Sequence, residues 1–389
     1  MERSEFDQVL KAVRRLVRED VVPREQEIED TDEIPGDLRR KAADMGLFGF
    51  AIPEQYGGLG LSMREEAELV IELGYTSPAF RSMFGTNNGI AGQVLLVDGS
   101  EEQKQRFLPA LASGGATASF ALTESEAGSD PSTLTTTAER RGDEWVINGT
   151  KRFITNAAIA DLFMIFARTG PPGSGASGIS VFVVDARTPG ISVGEKDRKM
   201  GQLGSTTSEV HFSEVAAPLV ALIGGEGSGF RTAMACLAHG RLSIAALCVG
   251  MAGRLVDEMV SYARNRQQSG QPIGQFQLVQ AMLADSQTEM YAGSSMVLDA
   301  AERFDRGEDT KMLPSCAKYF CSEMVGRVAD RAVQVHGGSG YMRGVPVERF
   351  YRDARLFRIY EGTSQIQQVI IARALLAGTS LEEHRVRAE

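Results

Sequence analysis

The chain is poor in the residues that most often carry metal or disulfide chemistry: 389 residues hold four cysteines, four histidines and one tryptophan. Cys236, Cys248, Cys316 and Cys321 share no CxxC spacing and fall in apolar helical stretches, so they read as buried free thiols. His211, His239, His336 and His384 are scattered and form no HExxH, so no metal site is expected. No uninterrupted apolar run reaches the ~18 residues of a membrane span, and none is expected. Basic charge is short as well. Lys and Arg number 41 against 51 Asp and Glu, giving a net charge of −10 and a pI near 5.2. Without an aromatic-studded basic run, that balance argues against nucleic acid as the main partner. The N-terminus has no basic, apolar leader. Glu2, Glu5 and Asp7 lead straight into an amphipathic helix, so a cytoplasmic location is expected. No internal repeat or low-complexity segment stands out.

What is present is a chain long enough for two or three domains, 43% hydrophobic and 24% charged, the composition of a soluble globular protein. Residues 1–117 carry helical signals. Phe6, Val9, Leu10, Val13, Leu16 and Val17 form one stripe, Asp32 to Pro35 start a second helix, and Ser62 with Glu65 and Ser100 with Gln103 have capping-box spacing. Residues 118–226 carry strand signals instead. Leu162 to Ala167 and Ile179 to Val184 are short apolar runs bounded by turn residues, and Asn148-Gly149 predicts a hairpin turn. Gly224 to Gly229 lacks the ending of a phosphate loop and the context of a dinucleotide fingerprint, and reads as a flexible domain boundary. Long helical patterns return over 227–389: Leu242, Ala245, Val249, Ala252, Val256 and Val260 in one stretch, Leu278 and Met282 in the next, then Phe320, Met324, Val328 and Val335. The expected class is an α+β multidomain protein: an N-terminal α-helical domain, a middle β-barrel or sandwich domain, and a C-terminal four-helix bundle.

Near the end stands Tyr360-Glu361-Gly362-Thr363-Ser364. Thr363 and Ser364 can cap the helix that follows, Gln367 is three residues after Ser364, and Gly362 allows close approach of a ligand to the backbone. Taken alone, Glu361 could simply complement a helix dipole. Four further motifs weigh against that. They are Leu122-Thr123-Glu124-Ser125-Glu126-Ala127-Gly128-Ser129-Asp130; Lys151-Arg152-Phe153-Ile154-Thr155-Asn156; Arg266-Gln267-Gln268-Ser269-Gly270-Gln271-Pro272-Ile273 with Phe276-Gln277; and Gln334-Val335-His336-Gly337-Gly338-Ser339-Gly340-Tyr341.

In this order, and with helical, β and helical regions around them, these motifs resemble the acyl-CoA dehydrogenase family over nearly the whole chain. The resemblance implies FAD as cofactor. It implies that Phe120, Leu122, Thr123, Phe153 and Thr155 contact the flavin, with Thr155 near N5, and that Ser129 lies where flavin and the CoA chain pass closest. It implies that Arg266, Phe276, Gln277, Gln334, Gly337 and Gly338 reach the FAD of a neighbouring subunit. The chain departs from the family pattern at Ser125, where proline is common, and at Ser269, where phenylalanine is usual. Thr363 and Gln365 are implied as flavin-side contacts, and Arg241 and Gly362 as neighbours of the substrate. Some members carry the base one residue before the counterpart of Arg241. Gly240 stands there, which leaves Glu361 as the base.

The chemistry implied is α,β-dehydrogenation of an acyl-CoA thioester to a trans-2-enoyl-CoA, as in fatty-acid β-oxidation. Glu361 takes the α-proton and flavin N5 takes the β-hydride. An electron-transfer flavoprotein is the implied acceptor, and a dimer of dimers the implied assembly. Residues from Asn87 to Leu96 are expected to line the acyl pocket. An acyl-CoA oxidase, a monooxygenase of the same fold and a non-catalytic acyl-CoA-binding protein are the competing classes, and retention of the base together with the flavin motifs speaks against the last two.

Overall fold

The computed structural model describes residues 1–171, 173–308 and 310–378; His384 and the last part of the expected C-terminal domain lie outside the described residues. The chain opens with helices α1 (Arg3–Arg15), α2 (Glu25–Thr31), α3 (Gly36–Asp44), α4 (Met63–Leu73), α5 (Pro78–Gly89), α6 (Ala91–Asp98) and α7 (Glu101–Ala112). Phe6 and Val13 of the first stripe are fully buried, and the helix runs on through a π-helical turn at Leu16–Val21. Both predicted capping boxes form, at Ser62–Glu65 and Ser100–Gln103. The helix expected to begin at Asp32 to Pro35 begins at Gly36, because Asp32 is the left-handed C-cap of α2.

The sheet consists of β1 (Ala118–Ala121), β2 (Thr137–Arg141), β3 (Glu144–Thr155), β4 (Leu162–Arg168), β5 (Ile179–Asp185), β6 (Ile191–Val193), β7 (Thr207–Pro218) and β8 (Leu222–Ile223). Its order is β6-β7-β3-β2-β4-β5-β8, with β1 parallel to β4. Alternation along β4 divides two cores. Phe163, Ile165 and Ala167 join Trp145, Phe182 and Phe212 in a cluster made by the sheet's own strands. Leu162, Met164 and Phe166 pack against Val94, Leu95, Leu108 and Leu111 of the preceding helices. The hairpin expected at Asn148-Gly149 is absent. Those residues lie inside β3, and the tight turn is Gly142-Asp143, between the paired Arg141 and Glu144. Gly149 instead marks a register shift between β3 and β7, where a Cβ would run into Thr136.

Beyond the sheet come α8 (Gly229–Asn265), a hairpin of β9 (Gln267–Gln268) and β10 (Gln271–Pro272), α9 (Gln277–Asp305), α10 (Met312–His336), α11 (Pro346–Ala354) and α12 (Ser364–Leu376). The segment before α8 is tied down rather than loose. Gly227 N–H donates to Ser180 Oγ at 2.9 Å, and Gly229 lies so close to the Ser180 backbone that a Cβ would meet it. Among the described residues α8 is the one helix long and apolar enough to cross a membrane by length and composition, and 78% of that stretch is buried inside the protein. Leu278, expected on the buried stripe of α9, is 82% exposed; the first turn of α9 meets the core through Val279 instead, and the next turn through Met282 and Leu283.

One buried charge cluster joins the N-terminal helices to the bundle. Glu25 of α2 accepts from Thr76 Oγ1 at 2.6 Å, from Arg254 of α8 at 3.3 Å and from Arg349 of α11 at 2.5 Å. All three charged side chains are buried. Removing one partner of such a group strands the others in low dielectric. Glu25→Gln is therefore expected to lower stability by about 3 kcal/mol, read as a fall in the urea midpoint of the flavin-loaded protein.

Candidate active site

Glu361 occupies the left-handed region with φ 57°, followed by Gly362 at φ 87°. A non-glycine residue held there costs free energy and needs surroundings that fix it. Three side chains supply them. Lys318 Nζ of α10 donates to Gly362 O at 2.6 Å. Gln367 Nε2 of α12 donates to Glu361 O at 3.0 Å and to Gly362 O at 2.9 Å. Arg241 Nε of α8 stands 3.5 Å from Glu361 O. Both carbonyls are thereby turned into the protein. Thr363 is the N-cap of α12, accepting from Ile366 N at 3.2 Å. The Ser364–Gln367 capping box does not form, since Ser364 Oγ donates to Glu323 at 2.6 Å and Gln367 is committed to the two carbonyls.

The Glu361 carboxylate points the other way, into a cavity of about 510 Å³, and its Oε2 has no hydrogen-bond partner. It lies across Gly240, where a Cβ would come within 2.8 Å of Oε2. Burial pushes the Glu361 carboxyl above the usual carboxylate range, and the nearby cations Arg241, Arg81, Lys318 and His239 only partly offset this. Burial also pulls the Lys318 ammonium down to about 8. His239 is placed between Glu66 (Nε2 to Oε2, 2.9 Å) and Gly89 O (Nδ1, 3.3 Å). Burial opposes its charge, but Glu66 prevails and the net shift is upward.

The opposite side of the cavity comes from β3. Phe153 and Thr155 line it. Phe153 is 61% exposed and held at φ 58°. What fixes this end of β3 is a buried ion pair between two of the sequence motifs. Lys151 Nζ lies 2.8 Å from Glu124 Oε1 and donates to Leu122 O at 3.1 Å. Glu124 also accepts from the N–H groups of Thr135 and Thr136. Burial opposes the Glu124 charge, but Lys151 and these donors bring it down to about 2. Thr123 O accepts from Arg152 N at 2.8 Å, so the Leu122–Glu124 turn is laced to β3 along its length. Among the described residues, no group of three or more His, Cys, Asp or Glu is arranged to hold a metal ion.

The cavity thus gathers Phe153, Thr155 and Glu361. Leu122 and Phe120 lie behind β3's neighbours, with Phe120 against Phe166 at 4.7 Å between ring centroids. Ser129 is on an exposed loop, Gly362 and Thr363 are half-buried beside Glu361, and Gln365 is exposed. Arg266, Gln277, Gln334, Gly337 and Gly338 are exposed and line no part of the cavity, and Phe276 is half-buried beside them. Ser269 sits at the exposed tip of the β9–β10 hairpin with φ 52°. Of the stretch expected to line the acyl pocket, only Gly89 and Ile90 do so. Asn87 is spent on main-chain groups of Leu111, Ala116 and Ala118, and Val94 and Leu95 belong to the core. The lining lies a turn or two earlier, at Arg81, Ser82, Gly85 and Thr86. Lys318 and Arg81 escaped the sequence reading. Each is a lone cation in an apolar helical run, which was the available signal.

A cavity of this size, floored by an exposed aromatic on a strand and facing an unpartnered carboxylate, suits a flat redox ring laid against β3 with a substrate between ring and base. Family matches identify the class: a flavin-dependent oxidoreductase acting on a CH–CH bond. Family models agree over most of the chain: the acyl-CoA dehydrogenase N-terminal domain at residues 3–115, the middle domain at 119–215 and the C-terminal domain at 227–376. The chain belongs to the acyl-CoA dehydrogenase family, whose members are FAD-dependent. It is 41% identical to an acyl-CoA dehydrogenase of Bacillus subtilis over 95% of this chain and 97% of that one. It is 37% identical to subunit CarC of the caffeyl-CoA reductase-Etf complex of Acetobacterium woodii, over 95% and 99% of the two chains. Its fold superposes on butyryl-CoA dehydrogenase from Megasphaera elsdenii with a TM-score of 0.93, at 32% identity, over 97% and 99%.

Lys318 both holds the Gly362 carbonyl and contributes positive charge near the base. Lys318→Met should raise the pKa of Glu361, because a cation that favours the carboxylate is gone. The acidic limb of the kcat profile, which rises as the base ionises, is expected to move to higher pH. A profile unmoved in the variant would contradict the assignment.

Proposed function

We propose that the protein removes the α- and β-hydrogens of an acyl-CoA thioester to give a trans-2-enoyl-CoA, with Glu361 as the base. The observation that carries this reading is the Glu361 carboxylate, aimed into the cavity with one oxygen unpartnered while its own backbone is tied behind it. The raised pKa suits a base that must take a proton from carbon and later release it. Gly240 leaves room for the carboxylate to swing over the substrate. Resemblance to the family assigns the Glu361 N–H as a main-chain donor for the thioester oxygen, which gains negative charge as the proton leaves. Bound FAD supplies the hydride acceptor. Phe153 and Thr155 support its ring, and the Glu124–Lys151 pair keeps them in register.

The exposed residues Arg266, Gln277, Gln334, Gly337 and Gly338, with the half-buried Phe276, favour a homo-oligomer, a dimer of dimers, in which they reach a neighbour's FAD. An electron-transfer flavoprotein is the proposed acceptor, in keeping with the Etf complex named for the Acetobacterium relative. A cytoplasmic location is proposed for the protein. Run in reverse, the same carboxyl would deliver the α-proton, as the reductase name of that relative suggests for its own reaction.

Glu361→Gln should keep FAD and the fold but reduce the flavin with acyl-CoA at least ~100-fold more slowly, measured anaerobically by stopped flow. Near-normal reduction would remove Glu361 as the base. Light scattering should find no flavin-saturated monomer.

A further inference from the structure

The acyl end of the cavity is not apolar. Arg81, on α5, reaches into it from the stretch Pro78–Gly89, whose other buried side chains carry no charge. Its side chain is nine-tenths buried, with 8% of the residue exposed. Among the described residues its one hydrogen bond is from Nη2 to Ser243 Oγ on α8, at 2.5 Å. Nε has no partner, and among the described residues no carboxylate lies within ion-pair distance of the guanidinium. The helix makes room for it. A Cβ at Gly85 would stand 2.6 Å from Arg81 Nη1, and one at Gly89 would stand 3.4 Å from Nη2.

A buried guanidinium with spare donors is costly unless an acceptor meets it. The other buried cations near this cavity already have main-chain or acidic partners. Arg241 and Lys318 serve the carbonyls of Glu361 and Gly362, and His239 has Glu66. Arg152, Arg198, Lys199, Arg352 and Arg355 also line the cavity, but among the described residues Arg81 is the one buried cation that does. Building on the proposed α,β-dehydrogenation, we propose that this site takes an acyl thioester whose far end carries a carboxylate, and that Arg81 binds that carboxylate. The planar fork of arginine suits both carboxylate oxygens. Ser243 holds the fork in place, and the glycines keep the approach open. The acyl chain then lies between two fixed points, its reacting carbons under Glu361 and its carboxylate at α5. The preferred substrate is thus the CoA monothioester of a dicarboxylic acid rather than a plain alkanoyl thioester. The reaction class that supplies it is one that joins CoA to a single carboxyl of a diacid.

The test compares CoA monothioesters of dicarboxylic acids, four to eight carbons long, with alkanoyl-CoA esters of the same lengths and with ω-hydroxyacyl-CoA esters. On the wild-type holoenzyme at least one carboxylated ester should exceed its alkanoyl counterpart in kcat/KM by roughly tenfold or more, the worth of a charge-assisted hydrogen bond. The preference should persist in high salt, because a buried contact is weakly screened. In Arg81→Met the ratio of the two classes should fall by roughly a hundredfold, and Arg81→Lys should restore part of it. Higher kcat/KM for the alkanoyl or ω-hydroxy esters on the wild type would overturn the proposal. So would an equal loss for all classes in Arg81→Met, which would mark Arg81 as a group that only tunes Glu361. Calorimetric binding to Glu361→Gln holoenzyme separates this inference from the reading it rests on. Tighter binding of the carboxylated ester there supports the Arg81 subsite even if that variant were to turn over and the base were misassigned. Equal binding of both classes would sink the subsite while leaving the base intact.

Discussion

The site depends on one constraint: a left-handed glutamate whose two following carbonyls must be satisfied inside the protein. Glu361 O and Gly362 O face away from water, and an unpaired buried carbonyl is costly. Lys318, Gln367 and Arg241 meet that need, and each comes from a different long helix of the C-terminal region. The price is positive charge packed beneath the Glu361 carboxylate. Burial of the carboxylate and the field of those cations act in opposite directions on its proton affinity, and burial prevails. The same contacts thus fix where the base points and how readily it holds a proton.

Buried charge recurs wherever distant parts of the chain must meet in one geometry. Glu124 and Lys151 join a turn after β1 to the middle of β3, and Glu25, Arg254 and Arg349 join three helices. Such pairs add less stability than apolar packing of equal volume, yet they tolerate little misplacement. Here they sit beside the flavin-side strand and between the helical regions, where a shift of an ångström would move the exposed face of Phe153 relative to Glu361.

Much of this architecture was legible from local chemistry. Capping boxes at Ser62 and Ser100, the apolar runs of β4 and β5 and the long stripe on α8 depend on residues near one another in sequence, and they appear where the spacing put them. Asn148-Gly149 misled because a strand long enough to bulge uses the same glycine as a tight turn does. Leu278 misled because a spacing of two residues, Leu278 and Met282, does not say which side of the first turn meets the core, and Val279 is the one that does. At the site, Glu361 was found from its motif, but its supports were not. Lys318 stands 43 residues before Glu361 and Arg81 lies 162 before its partner Ser243. Whether a lone cation in an apolar helix is buried or swings out to water depends on which helix crosses above it, and no local pattern encodes that.

Gly240 carries a further implication. The volume a side chain would need at position 240 is already taken by the carboxylate of residue 361. A side chain at position 240 would therefore have to push aside the end of the Glu361 side chain, although residue 240 lies within α8, residue 361 precedes α12, and the two stand 121 residues apart. The two positions thus compete for one volume, and what must yield is the flexible end of one side chain rather than any backbone.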